Sequence, residues 1–463
     1  MRINPAHFFC SGKELCTPVR ILDVPSFKEW QKKADIKDVA QAKTFGFSGF
    51  DTQLAYIHNE KGELTEVLFG TNLQRLPANM RSLAVRLPEG AFEFPLDLPG
   101  PVADVVAYFW ALGQYNFSEY KSQKSPRPRA LKWPENANKK RVEELVASSF
   151  LAKDLINTPP NDMGPDELEA AAKALASGFD AKFKVIKGDA LLKEGFPAIH
   201  AVGKAAEKEP RLLDLTWGNE KHPKVTLVGK GVCFDSGGLD IKSASGMITM
   251  KKDMGGGAVA LGVARMIMAT NLPVRLRVLV PAVENSISGN AYRPSDVIKT
   301  RKGYSVEIGN TDAEGRVVLC DALALADEEK PDILIDFATL TGAAKIAMGP
   351  ELQALFCNND ELANGLLTGG MNSGDPLWRM PLWQPYREML KSEVADINNV
   401  ASGTEGGAIT AALYLQSFVE NAKAWAHIDL YCWNKKQKPG RPKGAEAHGL
   451  LAAVSFLESK FRK

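Results

Sequence analysis

The apolar positions of this chain change period several times, and the changes mark out its elements. Over residues 139–156, Val142, Leu145, Val146, Phe150, Leu151 and Leu155 recur at helical spacing, and the run ends at the breaker Asn157-Thr158-Pro159-Pro160. Pro165 stands where a first-turn proline opens a helix, here over 166–176. Further on, 225–228, 274–280 and 332–337 are short runs rich in Val, Ile and Leu, with helical patterns near 257–269 and 317–326 between them. Strands apolar on both faces and separated by helices predict a largely parallel sheet covered on both sides. Upstream the pattern is fainter. There 53–58 and 66–69 read as strands and 102–112 as a helix.

Residues 122–140 interrupt the pattern with Ser, Pro, Lys and Asn, including prolines at 126, 128 and 134, and read as a linker. The expected fold class is therefore α/β. A smaller N-terminal α/β domain spans 1–130, a linker and connecting helix span 131–156, and a larger domain over 157–463 carries a mixed, mainly parallel sheet covered by helices. A length of 463 residues exceeds one ordinary core and agrees with the division.

Composition narrows the class without choosing a function. Apolar content of 45% and charged content of 24% exclude disordered and collagen-like chains. A formal net charge of +2 predicts neither a nucleic-acid nor a membrane partner. The cysteines (Cys10, Cys16, Cys233, Cys320, Cys357 and Cys432) show no CxxC pairing and read as reduced thiols. The opening MRINPAHFFCSGKEL lacks the long apolar core of a signal peptide, and no run approaches the roughly 18 apolar residues of a membrane span. A soluble, cytoplasmic protein is expected.

Two stretches carry the chemistry. In Asn310-Thr311-Asp312-Ala313-Glu314-Gly315-Arg316, two carboxylates lie two positions apart with a guanidinium two further on, at the start of a helical pattern. Their oxygens can turn toward one point, and Gly315 leaves the backbone open to a ligand. The other stretch begins where a strand ends: Val228-Gly229-Lys230-Gly231-Val232-Cys233-Phe234-Asp235-Ser236-Gly237-Gly238, then Lys242, then Met250-Lys251-Lys252-Asp253. Ligand sites of parallel α/β sheets form at the carboxyl ends of strands, which draws Lys230, Asp235, Lys242, Asp253, Asp312 and Glu314 into one crevice. Four carboxylates so placed repel one another and resist ionisation. Two divalent cations roughly 3.5–4 Å apart remove that cost and make a hydrolytic centre. Of the two lysines, one facing the cations can ligate as a neutral amine, and one kept protonated can stabilise an oxyanion.

Competing readings are weaker. Gly229-Lys230-Gly231 has neither GxGxxG nor GxxxxGK[ST] spacing, which disfavours a nucleotide loop. No HExxH occurs. His427 reads as a packed strand residue, Cys233 and Cys320 as core thiols, and Asp321, Asp327, Glu328 and Glu329 as helix caps or solvated charges. The basic segment 435–443 reads as a solvated loop.

NTDAEGR, together with VGKGVCFDSGG and LINTPPNDMGP (155–165), resembles the leucine aminopeptidase family of two-metal exopeptidases, and the similarity runs from about residue 150 to the C-terminus. The resemblance implies a metal-dependent aminopeptidase that releases N-terminal residues from peptides. It makes Asp235 and Glu314 bridging ligands, Lys230 and Asp253 the completion of the tighter metal position, and Asp312, through carboxylate and carbonyl, that of the exchangeable one. It implies that Lys242 contacts the reacting carbonyl and that Arg316 holds a bicarbonate acting as general base. Met250, Thr339, Leu340 and Gly342 match substrate-binding positions. The implied cofactors are two divalent ions per subunit, Mn²⁺, Zn²⁺, Mg²⁺ or Co²⁺, and the implied assembly is a homohexamer. Tyr431 and Trp433 depart from the small residues usual in the family, so they either narrow the side-chain pocket or pack in the core. Two rival functions share parts of the pattern: another dinuclear hydrolase such as a phosphoesterase, and a family member with an added nucleic-acid role.

Overall fold

The computed structural model describes residues 4–12, 14–122 and 127–462. Pro126, counted above toward the linker, and parts of the opening segment lie outside the described residues. The chain forms two compact units. One runs up to Phe150 and includes Asn434–Lys443; the other comprises Leu151–Trp433 and Gly444–Lys463.

In the smaller unit, β1 (Thr17–Leu22), β2 (Leu54–His58), β3 (Leu64–Gly70), β4 (Ala91–Glu93) and β5 (Ala130–Leu131) form one sheet in the order β2-β3-β1-β4-β5. Only β2 is antiparallel to its neighbour. Helices Leu76–Arg86 and Gly100–Gly113 pack on each other, and Trp110 on the second is fully buried. β5 falls inside the stretch expected as linker. Two apolar residues between prolines are too short to show a period, yet they pair with β4. In the basic segment 435–443 the lysines are exposed, as a solvated loop requires, but Gly440 is buried.

The larger unit is built on β6 (Lys182–Lys187), β7 (Arg211–Trp217), β8 (Lys224–Gly229), β9 (Gly231–Asp235), β10 (Arg275–Asn285), β13 (Ile333–Ala338), β14 (Gln353–Cys357), β15 (Leu377–Arg379) and β17 (Trp425–Asp429). Their order is β15-β14-β17-β13-β8-β10-β7-β6, with β9 also on β10. The centre is parallel, from β17 through β13 and β8 to β10, while β14, β7 and β6 add antiparallel pairs. This is the mixed, mainly parallel sheet expected. The short strands β11 (Val297–Lys299), β12 (Ser305–Glu307) and β16 (Ile397–Asn398) make a separate sheet.

The central strands are buried on both faces because helices cover both. Helix Gly255–Ala269 is apolar nearly all round and buried except at Arg265 and Ala269, as a helix inside a core must be. Helix Glu314–Glu328 packs Val317, Val318 and Leu319 into a core shared with Val228, Leu279, Leu334 and Trp425. β10 runs five residues past the apolar stretch 274–280. Its extension pairs with β9, in register Asn285↔Asp235, and so carries Asn285 to the strand ends where the charged residues gather.

Candidate metal centre

Lys230 follows β8, Asp235 ends β9, Thr339 follows β13, and Asp253 lies on the 3-10 segment Met250–Met254. Asp312 belongs to the 3-10 turn Thr311–Ala313, and Glu314 opens the helix Glu314–Glu328. These elements bring the two charged stretches together. Asp235, Asp312 and Glu314 each offer an oxygen within 4.8 Å of the others. Lys230 Nζ stands 2.7 Å from Asp253 Oδ2 and 2.7 Å from Glu314 Oε1. Lys242 Nζ lies 2.7 Å from Asp235 Oδ2 and 2.5 Å from Asp312 Oδ1.

The local backbone explains why these residue types stand here. Gly237, at φ +91°, turns the chain where any Cβ would meet Asp240 O at 2.5 Å and Asp312 Oδ1 at 2.9 Å. Its N–H donates to Asp235 Oδ1 (2.9 Å), and Asn285 Nδ2 donates to the same oxygen (2.8 Å). Gly315 serves a different purpose from the one expected. A Cβ there would lie 2.5 Å from Lys230 Nζ and 2.8 Å from its Cδ, so the glycine makes room for the Lys230 stem, not for an outside ligand.

Charge within the cluster is unbalanced. Four carboxylates face two ammonium groups, and burial makes the excess negative charge costly. Burial, then Asp235, pushes Glu314 well above the usual carboxylate range, and the same two causes raise Asp312. Asp253 departs from the expectation that every carboxylate resists ionisation. Burial raises it, but Lys230 and Lys252 outweigh burial and hold it low. Burial likewise opposes the Lys230 ammonium, yet Asp253 and Glu314 win and raise it.

The donor set fits cations on an independent observation. Asp253 Oδ2, Asp312 Oδ1 and both Glu314 oxygens are buried and accept no hydrogen bond among the described residues, although ammonium nitrogens stand close. Those ion pairs are short but misaligned for hydrogen bonding, so these oxygens keep acceptor capacity that cations would use. Hard oxygen donors with one amine suit Mn²⁺, Zn²⁺ or Mg²⁺ better than soft ions.

Exposure divides the cluster into an inner and an outer side. The side chains of Lys230, Asp253 and Glu314 are 3%, 4% and 1% exposed, against 15% for Lys242 and 34% for Asp312. Arg316 is buried, donates from Nη1 to Asn399 O (2.7 Å), and has no hydrogen-bond partner at Nε among the described residues. Thr339, expected to touch substrate, is itself buried. It donates from Oγ1 to Asp253 Oδ1 (2.7 Å), and its carbonyl accepts from Lys230 Nζ (3.2 Å). Met250 and Leu340 are half-buried and Gly342 is exposed at the start of helix Gly342–Met348.

Several supporting residues were not anticipated. Thr311 donates to Gly237 O (2.6 Å) and accepts from Asp240 N (2.9 Å), while Tyr292 Oη donates to Thr311 O (2.5 Å). Asn399 Oδ1 accepts from Gly309 N (2.8 Å), and Asp429 accepts from Leu340 N, Thr341 N and Thr341 Oγ1. Asp321 and Asp327 are not solvated charges. Asp321 accepts from Ala198 N and Ile199 N at a helix start and from Arg301 N, and Asp327 from three successive backbone N–H groups, Glu420 to Ala422. His427 is fully buried on β17 with Nδ1 2.5 Å from Asp336 Oδ1, and Cys233 and Cys320 are buried thiols pushed well up by burial.

A mixed α/β sheet with a carboxylate-and-lysine cage at its strand ends defines a metal-dependent hydrolase. The comparisons give the family. The catalytic domain of the cytosol aminopeptidase family matches residues 150–454, and the N-terminal domain of M17 aminopeptidases matches 17–132. The chain belongs to the cytosol aminopeptidase family. A probable cytosol aminopeptidase of Roseiflexus castenholzii is 36% identical over 96% of this chain and 98% of its own length. The crystal structure of the cytosol aminopeptidase of Coxiella burnetii superposes with a TM-score of 0.93 at 48% identity, covering 98% of this chain and 99% of that one. The bottromycin maturation enzyme BotP, solved in complex with Mn, reaches 0.84 at 29% identity over 97% and 100%. This chain is thus a metal-dependent aminopeptidase, a hydrolase of peptides from a family that works with two metal ions.

Proposed function

We propose that the cage is the catalytic centre and that its inner and outer sides are two metal positions. Lys230 and Asp253 would hold the inner cation, Asp312 the exchangeable outer one, and Asp235 and Glu314 would serve both. The graded exposure carries this reading: the enclosed lysine suits a ligand, and the more open lysine suits a group that meets substrate. When bound, the cations supply Lewis acidity and an activated water, and bicarbonate supplies a proton acceptor. Lys242 then steadies the negative charge that develops on the carbonyl oxygen. Arg316 offers its Nε, which has no hydrogen-bond partner among the described residues, beside the start of helix Glu314–Glu328, as the seat for bicarbonate.

Met250, Leu340 and Gly342 line the space for the N-terminal side chain, and Thr339 acts by orienting Asp253. Residues 157–463 serve as the catalytic domain, with 1–130 as a separate N-terminal domain and 131–156 as the connection. The ions are Mn²⁺ or Zn²⁺, the assembly a homohexamer, the compartment the cytoplasm, and nucleic acid is not a partner. Among the described residues, no helix is long and apolar enough to cross a membrane. The test is a peptide-library digest with Mn²⁺ and again after exhaustive chelation. Loss of N-terminal trimming on chelation and its return with Mn²⁺ or Zn²⁺ is expected, and undiminished turnover by metal-free protein would refute the assignment.

A further inference from the structure

Beside the cage lies a lysine that the mechanism leaves unused. Lys252 immediately precedes Asp253 on the 3-10 segment Met250–Met254, and it is 6% exposed. Its backbone N–H donates to Thr249 O (3.0 Å), but its ammonium makes no hydrogen bond or ion pair among the described residues. Its nearest carboxylate in sequence is committed elsewhere, since Asp253 turns Oδ2 to Lys230 and accepts from Thr339 Oγ1 at Oδ1. The group Lys252 does face is a ring: its Nζ stands 5.2 Å from the centroid of Tyr431. Lys345, on helix Gly342–Met348, places its own Nζ 5.0 Å from the same ring. One buried aromatic thus has two ammonium groups over it.

A ring quadrupole steadies a cation only partly. The enclosed ammonium of Lys252, with no ion pair among the described residues, carries a cost that the carboxylate of a ligand would remove. The placement says which ligand. Met250 is two residues from Lys252 on the same segment, and Thr339, Leu340 and Gly342 form the loop that leads into the helix bearing Lys345. Thr339 Oγ1 ties the two segments together through Asp253 O (3.1 Å) and Oδ1. The two lysines therefore rise from the two segments that line the space assigned above to the substrate's first side chain.

We infer that Lys252, backed by Tyr431, is a specificity-determining residue that selects substrates whose N-terminal side chain is acidic, Glu or Asp, over aliphatic ones. The inference rests on the pocket assignment under the proposed function. It makes the departure at Tyr431 from the small residue usual in the family a change in chemistry as well as in size. A pocket that differs only by apolar volume discriminates weakly, whereas a buried donor left unmatched penalises the wrong substrate heavily.

The test uses the full-length, Mn²⁺-loaded protein with glutamyl, aspartyl, glutaminyl, leucyl and methionyl amides of one fluorogenic amine. Wild-type kcat/KM should favour glutamyl over leucyl, and the ratio should shrink with salt. Lys252→Met should lower the glutamyl-to-leucyl ratio by about tenfold or more, mainly through KM, and Lys252→Arg should restore part of it. A second readout needs no turnover: free glutamate should raise the melting temperature of the wild type more than leucine does. The inference is overturned if the wild type prefers leucyl substrates and glutamate gives no larger shift. It is equally overturned if metal-loaded Lys252→Met keeps the wild-type ratio, as a lysine that merely braces the ring would allow; the aminopeptidase roles then still stand. A metal-loaded wild type that cleaves none of the amides would overturn both.

Discussion

Replacing Gly315 by alanine separates the packing of the metal centre from the stability of its helix. The added Cβ would meet Lys230 at 2.5 Å from Nζ, 2.7 Å from Cε and 2.8 Å from Cδ. Carbon atoms rest at about 3.5–4.0 Å, so the lysine stem must retreat by about 1 Å. It has little room, being 3% exposed and held between Asp253 and Glu314. Overpacking of this kind costs about 1–3 kcal/mol. Against it stands the helix propensity of alanine over glycine, worth about 1 kcal/mol inside Glu314–Glu328. The gain offsets only part of the cost and leaves about 0–2 kcal/mol of global destabilisation, whereas at the cage the displacement of Lys230 is felt directly. Disturbing even a supporting residue typically costs about 10–100-fold in metal affinity, so Gly315→Ala should weaken the tighter site by at least about tenfold, or ~1.4 kcal/mol. The assay is competition of metal-free protein with a chelating dye for Mn²⁺, run beside thermal unfolding. Gly289→Ala, whose Cβ meets nothing within 4 Å, is the control. Two cations bound per chain at wild-type affinity would refute the view that Gly315 exists to seat Lys230.

Other outcomes follow from the same geometry. Lys242→Ala should cut kcat by about 10²–10³ while both metals stay bound, and Arg316→Ala should cost less because buffer anions replace a held bicarbonate; metal analysis showing a lost ion in Lys242→Ala but none in Lys230→Ala would reverse their roles. Burial pushes Asp321 up to about 7 against its backbone donors, whereas an unfolded aspartate titrates near 3.9. The folded protein then binds more protons than the unfolded chain between about pH 4 and 7, so stability declines as pH rises through that window. Urea unfolding at about pH 5 to 8 should show the decline, flattened in Asp321→Asn, and equal slopes would refute it. Light scattering at micromolar concentration should return six times the chain mass of 50.4 kDa, and a monomer would contradict the assembly.

How far the sequence could be read depended on what each residue works through. The central strands β8, β10 and β13 were legible because burial on both faces leaves continuous runs of Val, Ile and Leu. β5, two residues long, and the antiparallel strands β6 and β7, whose polar positions blur any run, left no such trace. The cage was legible for another reason. Its members act through charged side chains, and their types, clustered near strand ends, already imply cations.

Residues that act through hydrogen bonds to backbone atoms had no comparable signature. Asn399 lies 83 positions from Arg316, whose guanidinium its carbonyl receives, and any residue type carries a carbonyl. Asp429 fixes the loop of Leu340 and Thr341 from 89 and 88 positions away, where the sequence offers only an acid at a strand end. Thr339 matches a substrate-binding position of the family, and nothing in the sequence shows that its hydroxyl turns instead to Asp253. The charge balance was hidden in the same way. Counting carboxylates predicts mutual repulsion, which Glu314 and Asp312 obey, but Asp253 escapes it because Lys230 pairs with it and the charge of Lys252 adds to the pull from outside contact distance. That escape links the two halves of the site. Lys252, next to Asp253 in the chain, makes no ion pair among the described residues and faces Tyr431, so the carboxylate inferred for it comes from a substrate.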